Sequence, residues 1–130
     1  MATRAKKRMV LIEADKDLAA CVARFFSDRF EVYQVATLEE ALRALQTQAA
    51  NKFLFANVDS PSLKQTSIIE QIHRDHPQMK IVVSYLSPTA GTPWEKKFSE
   101  CVDVFVRKPY RVADVEKTLR ALDEKQRTRS

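Results

Sequence analysis

The sequence predicts an α/β domain: a five-stranded, doubly wound parallel sheet of strand order 2-1-3-4-5, carrying five helices. Three observations carry this expectation. Five short apolar runs rich in β-branched and aromatic residues alternate with five stretches of helical periodicity. Right-handed crossovers then favour a sheet covered by helices on both faces. The 130 residues also suffice for one domain, which at this size buries roughly two-thirds of the unfolded chain's surface without disulfides or metal.

Met9-Val10-Leu11-Ile12 is the first strand, an apolar run suited to burial on both faces. It ends at the polar cluster Glu13-Ala14-Asp15-Lys16-Asp17. From there Leu18, Val22 and Phe25, flanked by Cys21 and Phe26, recur at helical spacing to about Ser27. Asp15 or Asp17 caps that helix. Glu31 to Val35 is the second strand. Thr37-Leu38-Glu39-Glu40 is a capping box that opens a helix striped by Leu38, Ala41, Leu42 and Leu45. Asn51, tolerant of left-handed backbone, marks the exit from that helix.

Lys52 to Val58 is the third strand, with Asn57 near its end and a break at Pro61. Ile68, Ile69 and Ile72 mark the third helix, which stops before Pro77. Lys80 to Ser84 is the fourth strand. Thr92-Pro93-Trp94-Glu95 is a second capping box, with proline at the first helical position of a short fourth helix. Val102 to Val106 is the fifth strand, and Val112, Val115, Leu119 and Leu122 stripe the fifth helix. The expected domain covers residues 9–123, between a basic N-terminal tail at 1–8 and a charged C-terminal tail at 124–130.

Composition excludes several function classes. Apolar residues make up 45% of the chain and charged residues 30%, a globular balance. Gly91 is the single glycine, so a glycine-rich phosphate cradle is ruled out. Cys21 and Cys101 stand far apart without a CxxC motif, and His73 and His76 are the only histidines, so no zinc centre is expected. Helix-dipole interaction explains that histidine pair as well as a relay would. Free thiols and the lack of a secretory or membrane-spanning segment predict a cytoplasmic protein with no membrane partner.

The formal charge is +5, but residues 1–8 carry +4, residues 116–130 carry +2 and residues 9–115 carry −1. The body is therefore nearly neutral. A nucleic-acid binder more typically shows bases and aromatics on a structured face, so a nucleic-acid partner is not expected. Association through the tails is the remaining nucleic-acid reading, and deleting residues 1–8 would abolish it.

In a doubly wound sheet the site lies at the carboxyl ends of the strands, beside the switch point between strands 1 and 3. That rule selects Glu13 to Asp15, Asn57 to Asp59, Ser84 and Tyr85, and Arg107 to Pro109. Taken in order, Glu13-Ala14-Asp15, Asn57, Ser84 and Lys108-Pro109 resemble the receiver domain of bacterial response regulators. The likeness runs from Met9 to about Leu122. Pro61, four residues after Asn57, falls where that family's proline falls.

The resemblance implies a CheY-like, flavodoxin-like fold and a place in two-component signalling or a phosphorelay. It also implies phosphoryl transfer to an aspartate, helped by magnesium, a lysine and a serine or threonine. The sequence departs from this pattern at two places. Asn57 stands at the acceptor position, where a neutral amide is a feeble nucleophile. Ala14 stands at a magnesium-ligating aspartate and offers no side-chain oxygen. Glu13 matches the companion acid, and one carboxylate gives little selective affinity for a hard cation. Magnesium binding is therefore expected to be weak or absent, with no other metal or cofactor.

Lys108 then pairs with Glu13 or Asp15 in a fixed polar cluster, unless it and Ser84 are solvated groups without a role. The resemblance makes Phe105 the switch aromatic, although an aromatic on a strand is more commonly core. Cys101-Val102 stands where receivers usually have a small Gly-Ala turn.

The leading expectation is an atypical, non-enzymatic receiver-like module that acts through protein contacts without phosphorylation. Its partners would be signalling proteins, such as a histidine kinase or an output protein on another chain. The candidate partner face is the fourth helix, fifth strand and fifth helix, with Trp94, Lys97, Phe105, Arg111 and Asp114. The same face would serve a homodimer. Trp94 is alternatively core. The competing reading is a phosphorylatable single-domain regulator that uses Asp59 or deamidated Asn57 as acceptor.

Overall fold

The computed structural model describes residues 7–47, 51–58, 63–85, 100–107 and 110–128. The elements are β1 (Lys7–Ile12), α1 (Lys16–Phe26), β2 (Phe30–Val35), α2 (Leu38–Thr47) and β3 (Asn51–Val58), then α3 (Leu63–Asp75), β4 (Lys80–Tyr85), β5 (Val104–Arg107) and α4 (Val112–Thr128). The five strands are parallel, in the order β2-β1-β3-β4-β5. This is the predicted sheet. Four helices lie among the described residues. The expected helix opening at Thr92, with Trp94 and Lys97, falls outside them, so the last helix is α4.

Strand alternation sorts the core into two clusters. Val10, Ile12, Leu54, Ala56, Ile81 and Val83 face α2 and α3, where they meet Leu38, Ala41, Leu45, Ile69 and Ile72. Met9, Leu11, Phe53, Phe55 and Val82 face α1 and α4, packing on Ala19, Val22, Phe26, Val115 and Leu119. The second cluster is rich in aromatics: Phe26 makes edge contacts with Phe30 at 5.9 Å and Phe55 at 6.3 Å between ring centroids.

Several boundaries and faces differ from the sequence reading. Lys7 and Arg8, expected in a solvated tail, belong to β1, and their side chains reach Asp123 and Glu31 respectively. At the other end, α4 continues past residue 123 to Thr128. Asn51 opens β3, where it pairs with Arg8, instead of ending a helix. The stripe expected on α1 is only partly the buried one. Ala19, Val22, Ala23 and Phe26 point inward, whereas Leu18 and Phe25 are exposed. Two apolar stripes compete on that helix, and the sheet takes the one whose alanines permit close approach.

The caps follow the sequence more closely. Asp15 Oδ1 accepts from Asp17 N at 3.0 Å and Leu18 N at 3.1 Å, which makes Asp15 the cap of α1. Thr37 Oγ1 accepts from Glu40 N at 3.1 Å, while Glu40 Oε2 reaches back to Ala36 N at 3.0 Å. The fifth strand begins at Val104 rather than Val102. Just before it, Asp103 stands in for a further rung. Its carboxylate accepts from Ile81 N at 2.7 Å, and its own N–H donates to Ile81 O at 2.8 Å.

Candidate functional site at the strand ends

The register fixes a polar row on one face of the sheet. Ile12 pairs with Ala56, so Glu13 stands beside Asn57, and Asn57 pairs with Ser84. Adjacent strands lie about 4.8 Å apart, so these three residues are immediate neighbours across β1, β3 and β4. Alternation places them on the α1 and α4 side, one step beyond Leu11, Phe55 and Val82. All three are buried: Glu13 is 9% exposed, Asn57 7% and Ser84 0%.

Each of these groups has unmet hydrogen-bonding capacity. Glu13 Oε2 accepts from Asp15 N at 3.0 Å, which folds the carboxylate back over the start of α1. Among the described residues, Glu13 Oε1, Asn57 Nδ2 and Ser84 Oγ are buried without a hydrogen-bond partner. An unmet buried polar atom costs about 1–3 kcal/mol, so three in one row are a local concentration of unfavourable desolvation. Such a site favours any small group that can satisfy both donors and acceptors.

Tyr110 closes this row from the side, a contact the sequence reading missed. Its hydroxyl donates to Asn57 Oδ1 at 2.8 Å, and its ring lies against Phe55 with centroids 5.8 Å apart. Burial, reinforced by the Glu13 charge, raises the phenol pKa above its ordinary value of 10.0, so at neutral pH the group stays a donor. The Ser84 hydroxyl is another polar neighbour of the phenol, although it does not meet hydrogen-bond geometry. The available signal was position: Tyr110 follows Lys108-Pro109 at the carboxyl end of β5, where the switch-point rule already directed attention.

The remaining predicted residues are distributed as follows. Ala14 is exposed and contributes no side-chain oxygen, and Asp15 is engaged at the cap of α1. Phe105 is half-buried against the α2–α3 cluster, on the sheet face opposite the polar row. Arg111 and Asp114 are exposed at the start of α4. Lys108, Pro109, Asp59, Pro61, Trp94 and Lys97 lie outside the described residues. The described residues contain no group of three acidic, histidine or cysteine side chains suited to a metal ion.

No family model matches the sequence, and no curated protein matches it. Solved structures do match its fold. A CheY-like response regulator receiver domain protein from Methanospirillum hungatei superposes with a TM-score of 0.82 at 18% identity, covering 97% of this chain and 100% of that one. A response regulator receiver domain protein from Clostridium thermocellum gives 0.79 at 14% identity, with coverage of 95% and 99%. The chemotaxis protein CheY4 of Vibrio cholerae gives 0.75 at 17%, with coverage of 90% and 98%. At these identities the likeness establishes the architecture. The chain has the fold of a response regulator receiver domain.

Proposed function

We propose that this chain is a receiver-like signalling module that works by binding proteins and does not take up a phosphoryl group. The observation that carries this reading is the Asn57–Tyr110 hydrogen bond. Asn57 occupies the strand end where the resemblance puts the acceptor, and the half-buried phenol of Tyr110 holds its only side-chain oxygen. A neutral amide in that state supplies no anionic attacker.

The donor set also fits magnesium poorly. Ala14 has no side-chain oxygen to offer, Asp15 Oδ1 is engaged by two backbone amides, and Asn57 Oδ1 by Tyr110. Among the described residues Glu13 Oε1 and Asp15 Oδ2 remain, and magnesium asks for several oxygens in octahedral geometry. On this reading the module is not an enzyme and uses no cofactor. It works in the cytoplasm within two-component signalling, with a histidine kinase or an output protein as partner. Among the described residues, no helix is long and apolar enough to cross a membrane. Among the described members of the candidate partner face, Arg111 and Asp114 are exposed; a homodimer through that face is part of the same proposal.

The test is intact-mass spectrometry after incubation with acetyl phosphate and magnesium. The mass of the wild-type chain is expected to stay unchanged, and the Ala14→Asp/Asn57→Asp variant is expected to gain one phosphoryl group. A phosphorylated wild-type chain overturns the proposal and favours Asp59, or a deamidated Asn57, as acceptor. A saturable magnesium isotherm at sub-millimolar concentration would count against the metal-free cluster.

A further inference from the structure

The outer surface of α1 carries an apolar stripe that the fold does not use. Leu18 and Phe25 are 43% and 44% exposed, and Cys21 between them is exposed as well. Their spacing of i, i+3, i+7 places them along one side of the helix over two turns. Asp17 and Arg24, also exposed and seven residues apart, form the next line around the helix. Among the described residues, neither of these charges is in an ion pair.

We propose that this face docks on the same face of a second copy of the chain, as an antiparallel helix pair centred on Cys21. Charge selects both the occupant and the direction. In an antiparallel pair, Asp17 stands opposite Arg24 of the partner subunit, and Leu18 stands opposite Phe25 of the partner subunit. The midpoints of these two pairings fall on either side of residue 21, so Cys21 meets its own counterpart at the two-fold axis. A parallel pair would instead set the charged line of each copy against Leu18 and Phe25 of the other. The surface is thus complementary to itself in one orientation only, as an isologous contact requires.

Two turns of helix per copy belong to the small, transient class of interfaces. The dimer therefore forms reversibly at raised concentration. It does not use Phe105, Arg111 or Asp114, and it is independent of whether Asn57 can be phosphorylated.

Sedimentation equilibrium of the 130-residue chain tests the association. Asp17→Arg alone and Arg24→Asp alone are each expected to weaken it about tenfold. Combining them restores it, because the ion pairs reform with reversed sign. Under mild copper–phenanthroline oxidation, wild type and Cys101→Ser are expected to give a disulfide-linked dimer, and Cys21→Ser none. Leu18→Ser, with an unchanged circular dichroism spectrum, is expected to sediment as monomer. A wild-type chain that stays monomeric to about 1 mM overturns the proposal. So does cross-linking that needs Cys101, or a double charge reversal that fails to restore the dimer.

Discussion

The two faces of the sheet are built from the same strands and end differently. On the α2–α3 face, the strands finish in Ile12, Ala56, Val58 and Val83, all within a cluster sealed by helix aliphatics. On the α1–α4 face they finish in Glu13, Asn57 and Ser84, the residues that follow Ile12, Ala56 and Val83 in sequence. A period of two separates the faces, so the chain can place buried polar groups on one without disturbing packing on the other. The first face ends in an apolar seal. The second combines an aromatic core with a polar row that the phenol of Tyr110 closes.

The largest expected effects probe both cores. Phe55→Ala should cost about 3–5 kcal/mol and Ile69→Ala about 2–5 kcal/mol in urea unfolding, since both side chains are fully buried. Only the Phe55 change should alter the titration of Tyr110, whose ring rests on it. If Ile69→Ala moved that titration equally, the two faces would not be independent.

Asn57→Asp should come next, at about 1–3 kcal/mol near neutral pH, because it buries a second carboxylate beside Glu13. Both effects raise the folded-state pKa of the new acid. Its penalty relative to wild type should therefore be absent at low pH and grow as pH rises through the carboxylate range. A flat difference across pH would place the new charge in solvent.

Tyr110→Phe should cost about 1–2 kcal/mol by leaving Asn57 Oδ1 without its donor. It also carries a pH signature. The raised phenol pKa means that the folded chain holds this proton more tightly than the unfolded chain. That contribution is complete below the unfolded value of about 10 and is lost as pH rises through the folded value. Wild type should thus lose stability in alkali faster than Tyr110→Phe, which pH-dependent thermal unfolding reads directly. The smallest effect, about 1 kcal/mol, is expected for Thr37→Ala at the start of α2, with no change at the polar row.

Much of this was legible in the sequence because burial on both faces leaves continuous apolar runs. The runs at Met9, Phe53 and Ile81 could scarcely be anything but central strands, and the order of polar residues at their ends located Glu13, Asn57 and Ser84. What was illegible depended on choices between equivalent patterns. On α1, Leu18 and Phe25 score as core by hydrophobicity, yet the sheet prefers Ala19 and Ala23 because small residues bring the backbones together. Lys7 and Arg8 look like tail by charge, yet their backbones extend β1 while ion pairs hold their side chains. Tyr110 was missed because its hydroxyl meets Asn57 across 53 positions of sequence, a distance that no local periodicity spans.

The short fifth strand also leaves a problem at the margin of the sheet. With β5 starting opposite Val82, the backbone of Ile81 would present a free donor and acceptor to any passing extended chain. Asp103 occupies both with its side chain and its own amide, and Lys80 lies 3.8 Å from the same carboxylate. One residue thereby mimics the missing rung and puts a charge over the open border. A strand from another molecule therefore finds neither backbone group of Ile81 free to pair with.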